Sequence, residues 1–171
     1  YQSLYSNTTG EDNTAIGVNA ISTGSGTTNG SRNTAVGRGA LQNGNSANDN
    51  TAIGAYTMNL STTGSSNVAL GNLALYSTTS ASYNVGVGFE TLKNTTTGGS
   101  NTAVGRGAMF SNTSGDVNTA VGENALVANT SGRYNTSIGV QAQEQNTDGG
   151  NNTAIGVAAI DQNRSGSNNA V

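Results

Sequence analysis

The fold class this sequence predicts is all-β: a repetitive solenoid of coils about seventeen residues long. Three observations predict it. The pentad Asn-Thr-Ala-Ile-Gly, or a close variant, begins at Asn13 and Asn33 and then at every seventeenth residue to Asn152. Each pentad is β-branched at alternating places, the mark of a short strand. The closing part of each repeat is rich in Ser, Thr, Asn and Gly, with 25 Gly and no Pro in 171 residues. A strict short period without a helical pattern signals a stacked, quasi-one-dimensional architecture.

The strand comes first. Counting from the Asn, positions 1 to 5 alternate, so 2 and 4 share one face and 3 and 5 the other. Position 4 is always aliphatic: Ile16, Val36, Ile53, Leu70, Val87, Val104, Val121, Ile138 and Ile155. Val68 and Val85 replace Thr at position 2. Both facts assign the 2/4 face to the inside of the coil.

The second apolar segment follows at positions 7 to 9, read as another short strand. Position 8 is small, and position 9 carries Ile21, Leu41, Met58, Leu75, Leu92, Met109, Leu126 and Ile160, with Gln143 as the departure. Positions 4 and 9 together form the expected core. A polar turn closes the repeat. Its late Gly, three residues before the next Asn, suits a φ > 0 position. A helical reading fails because Gly at position 5, beside Asn and Thr, costs too much helix propensity.

Stacking implies two ladders. Asn13, Asn33, Asn50, Asn67, Asn84, Asn101, Asn118, Asn135 and Asn152 would align and bond along the column. Gly17, Gly37, Gly54, Gly71, Gly88, Gly105, Gly122, Gly139 and Gly156 form a second column, either a strand-end kink or a flat face for another chain. Residues 1–171 read as one array of about ten repeats, a segment of a longer fibre. Ten coils at ~4.8 Å would make a rod of roughly 50 Å.

Energetics favour more than one chain. Full burial of a large apolar side chain stabilises by about 1.5–3 kcal/mol, and each coil has two. Ordering seventeen residues costs roughly 25 kcal/mol, so a thin coil needs a second buried surface. A homotrimer, packed through the Ala and Gly face, is the expectation.

Composition excludes several functions. Charged residues make up 9% of the chain, with no His and no Cys, against about 25% charged in an ordinary domain. Ser-His and Cys-His nucleophiles are therefore ruled out. The carboxylates Glu11, Asp12, Asp49, Glu90, Asp116, Glu123, Glu144, Asp148 and Asp161 are scattered, whereas a glycosidase needs a spaced pair. No calcium-loop spacing appears, so neither cofactor nor metal is expected, and the chain is not read as an enzyme. Without a basic stripe, nucleic acid is not an expected partner. No apolar run approaches a membrane span. Arg38 and Arg106 both stand at position 6, where they could meet a partner carboxylate, an anionic glycan or plain solvent.

The string N-T-A-[IV]-G-x-x-A-[LI] resembles repeats of bacteriophage tail fibres and related bacterial surface fibres. Those repeats often precede an endosialidase-type chaperone domain. It is also similar to the head repeats of YadA-like trimeric autotransporter adhesins, which carry S-V-A-I-G-x-x-A on a left-handed parallel β-roll. The resemblance covers every repeat and implies a trimer and an extracellular or virion location. It assigns inward roles to Thr14, Ile16 and their equivalents. This period is seventeen rather than fourteen, which leaves two arrangements open: each chain closing its own coil, or three chains intertwined in a triple β-helix. The expected function is a structural shaft projecting a host- or surface-binding domain outside this chain. The rivals are a glycan-binding repeat face and an ice-binding solenoid. Ice binding is disfavoured while the Thr column points inward.

Overall fold

The computed structural model describes residues 2–22, 28–160 and 162–171. Among them there is no helix, and the regular elements are nine strands of three residues each. These are β1 (Thr14–Ile16), β2 (Thr34–Val36), β3 (Thr51–Ile53), β4 (Val68–Leu70), β5 (Val85–Val87), β6 (Thr102–Val104), β7 (Thr119–Val121), β8 (Thr136–Ile138) and β9 (Thr153–Ile155). They form one parallel sheet in chain order. Each residue pairs with its counterpart one repeat on, as Thr102 does with Thr119. The twenty-residue first interval leaves the register intact, since Thr14 still pairs with Thr34. Part of that insertion, expected as a mobile stretch over Ser22 to Arg32, lies outside the described residues.

The fold is thus a parallel β-solenoid of about eight turns. Eight intervals at ~4.8 Å place β1 and β9 roughly 38 Å apart. The chain closes each coil on itself, with one strand per coil. Positions 7 to 9, expected as a second strand, are turns. The cause is backbone conformation. Residues at positions 7, 9 and 17 adopt left-handed φ values, as at Asn124 (54°), Leu126 (55°) and Tyr134 (58°), and such residues cannot continue a strand.

The sidedness of the strand is the reverse of the expectation. Ala35, Ala52, Ala69, Ala103, Ala120 and Ala154 at position 3 are fully buried. Position 4 lies outside: Ile16, Ile53, Val104, Val121, Ile138 and Ile155 are exposed, and Val36, Leu70 and Val87 are half-buried. Val68 at position 2 is exposed as well. The physical reason is room. Position 9 does point inward, with Leu41, Met58, Leu75, Leu92, Met109 and Leu126 completely buried. These large side chains cross the coil and leave space for only a methyl group opposite. At Gly86, which replaces Ala in β5, a Cβ would lie 3.4 Å from Leu75 Cδ1 and 3.7 Å from Leu92 Cδ1. The core is therefore one column of large residues against one column of Ala.

The glycines also act within the chain. Position-5 Gly has φ between 128° and 142°, where side chains are rarely accepted. A Cβ on Gly105 would stand 2.7 Å from the carbonyl carbon of Gly122 in the next coil. This column therefore serves as a kink and a close approach between coils, and it is only partly exposed. The late turn Gly is not a φ > 0 residue. Ala47 and Ala81 take its place in two coils, so the requirement there is small size.

Candidate interaction face

The interior is held by amides. Asn101 sits at the start of β6 and is fully buried. Its Nδ2 donates to Asn84 Oδ1 at 3.1 Å and across the coil to the Gly115 carbonyl at 2.8 Å. Its backbone N–H donates to the same Asn84 Oδ1 at 3.0 Å. Asn118 and Asn135 repeat the arrangement. Each Asn thus ties its coil to the previous one and the strand wall to the turn wall. Satisfied buried amides of this kind fix a single register, because slipping would orphan every one of them.

A second amide column was not anticipated from the sequence. Asn112, Asn129 and Asn146 are buried, and Asn129 Nδ2 donates to Asn112 Oδ1 at 2.9 Å. Asn146 continues the column at 3.1 Å. The signal was available: Asn recurs at position 12 from Asn112 to Asn163. Earlier coils carry Ser61, Thr78 and Thr95 there. Ser61 Oγ and Thr95 Oγ1 are buried without a partner. Coil 8 carries the other polar departure. Ser137 Oγ donates to Gln143 Oε1 at 2.8 Å, and Gln143 Nε2 has no partner.

Outside, the turn wall bears a hydroxyl column. Thr62, Thr79, Thr96, Thr113, Thr130 and Thr147 each donate Oγ1 to the carbonyl one coil on, at 2.9–3.1 Å. The strand wall bears the apolar face. In each coil the residues at positions 17, 2, 4 and 6 form an outward row. In coil 5 this row is Tyr83, Val85, Val87 and Phe89, with Tyr83 69% and Phe89 46% exposed. Large apolar side chains continue along the face at Val104, Val117, Val121, Tyr134, Ile138 and Val140.

Several charges near this face are paired along the stack. Arg32 and Asp49 meet at 2.6 Å, as do Arg106 and Glu123. The hydrogen bond to Arg32, more than its charge, lowers the Asp49 pKa. The hydrogen bonds that Arg106 donates to Glu123 and Arg32 donates to Asp49 raise the pKa values of the two arginines. Arg38 lies over the Tyr56 ring at 5.4 Å. Glu90, one of the scattered carboxylates, accepts a hydrogen bond from Lys93 Nζ at 2.6 Å. Arg133 meets Asp116 at 3.1 Å. All these pairs lie within the chain.

No pocket is present among the described residues, and no group of His, Cys, Asp or Glu there could hold a metal ion. Asp161 lies outside the described residues. No described helix is long and apolar enough to cross a membrane. The outward strand face is therefore the candidate site. No protein-family model, curated protein or solved structure matches the chain.

Proposed function

We propose that this chain is a shaft segment of a homotrimeric fibre that projects a surface-binding domain away from its anchor, on a phage tail or a bacterial surface. The observation that carries the reading is the continuous aliphatic column on the outside of a sheet whose interior is already filled. An exposed apolar patch of this length marks an interaction surface. Eight intervals at ~4.8 Å and six residue steps of at most ~3.3 Å give a face of up to about 800 Å², the area each partner contributes to a standard interface. A spacing repeated coil after coil is matched along its length by a surface with the same spacing, which another copy supplies. The interior suits a rod, because each amide column resists both bending and slippage.

Light scattering on the 171-residue chain, mass 17.0 kDa, tests the proposal. Three chains per particle is the expected result. A folded monomer at high concentration would refute it.

One observation favours a second reading. The Thr column at position 2 faces outward beside the aliphatic column, and regular outward Thr on a flat sheet can order water. Ice binding would give thermal hysteresis in the monomeric chain, and the shaft reading predicts none.

A further inference from the structure

We propose that copies of the chain pack parallel and in register through the outward strand face, with Tyr83 of one copy against Phe89 of the next. The inference rests on the fibre reading above. The columns that border the face carry it. Positions 17 and 6 flank every outward row, so in a parallel ring position 17 of one copy borders position 6 of its neighbour. In coil 5 this brings together the two aromatic side chains of the row, both exposed and neither in a ring contact among the described residues. Between them lie Val85 and Val87, in a row whose one polar side-chain group is the Tyr83 hydroxyl.

The flanks also differ along the axis, and this selects the direction. In coils 1 to 3 four of the six flanking residues are charged: Asp12, Arg32, Arg38 and Asp49. In coils 7 to 9 Glu123 is the single charge among six. Parallel, in-register packing keeps like levels together. Antiparallel packing would lay Arg32 and Arg38 against the level of Tyr134 and Val140, desolvating charge against apolar surface. A one-coil slip would set Phe89 beside Ser66 or Ser100 and break the aromatic pair, whose geometry adds to plain burial.

The chain has no Cys, so disulfide trapping reads these contacts directly. The experiment oxidises Tyr83→Cys, Phe89→Cys and the double variant, with the offset pairs Ser66→Cys/Phe89→Cys and Ser100→Cys/Phe89→Cys beside them. A bridge within one chain leaves the mass of a single chain, so it is not mistaken for a covalent trimer. The expected result is a covalent trimer from the double variant and monomer from each single variant and each offset pair. Dimer from Tyr83→Cys alone would mean antiparallel packing and overturn the proposal. Dominant linking by an offset pair, or no linking in a sample whose native mass is trimeric, would overturn it as well. A monomeric native mass would instead overturn the fibre reading itself.

Discussion

Ala103 and Val104 are neighbours on β6, yet they lie in opposite environments. Ala103 is sealed inside the coil, while Val104 is 36% exposed. In most half-buried sheets the larger residue turns inward. Here the order is reversed, because the opposite wall sends Met109 and its equivalents across a core one side chain thick. The lesson is that the inner side of this strand is built for stacking and the outer side for company. The inner side uses Ala, Asn and Gly, whose size and hydrogen bonds fix the coil. The outer side displays β-branched residues that the single chain does not need for its own core.

Substitutions on the two sides should therefore have unlike consequences. The largest effect is expected inside, at Asn84→Ala. The change leaves the buried Asn101 N–H and the Gly98 carbonyl without their amide partner, at a cost of about 2–5 kcal/mol. Chemical denaturation would measure it. A loss below that of an ordinary surface substitution would break the comparison.

Ala103→Leu is the next largest. It overfills the space facing Met109 and should cost about 1–3 kcal/mol, read as a lowered melting temperature. Outside, Val104→Ser should change the stability of the isolated chain by no more than about 0.5 kcal/mol, while weakening assembly as read by concentration-dependent mass. Equal melting losses for the Ala103 and Val104 variants would erase the distinction between the two sides.

Thr95→Asn sharpens the inner side. It replaces an unpartnered buried hydroxyl with an amide placed to extend the column at Asn112. The expectation is a gain of about 0.5–1.5 kcal/mol.

The smallest effect is expected at the exposed Arg32–Asp49 pair. Asp49 has a folded pKa lowered by Arg32. Its contribution is complete above the unfolded aspartate value of about 3.9 and is lost as pH falls through the lower folded value. Asp49→Asn should remove that slight acid dependence from the melting curve and leave neutral-pH behaviour unchanged. An exposed pair is worth little, so a large neutral-pH loss would contradict its place on the outside.

Much of the fold was legible in the sequence. The period set the coil length and the register, and the Asn at position 1 announced its ladder. Sidedness was not legible, because period-2 alternation says which residues share a face but not which face is inside. Val68 and Val85 at position 2 mimic a core signal, although Val68 is exposed. The decisive clue was that Ala and Leu recur at complementary places, positions 3 and 9, where one must be small for the other to be large. Coil 8 carries the same clue in polar form, since Ser137 and Gln143 depart from the pattern together and touch. The left-handed residues were hidden for another reason. Leu41, Met58 and Leu75 adopt φ values of 50–52° that their side chains disfavour, and only the coil around them holds them there. The candidate face is the least legible part, since the sequence pattern assigns its aliphatic residues to the core.

Thiol labelling tests the sidedness most directly. Ala103→Cys and Val104→Cys would each be placed in the otherwise Cys-free chain and exposed to a water-soluble thiol reagent under native conditions. Cys at 103 is expected to label only as fast as the coil unfolds, while Cys at 104 labels faster, in proportion to the fraction of separated copies, and faster still on dilution. Rapid labelling at 103 with protection at 104 that dilution does not relieve would contradict it.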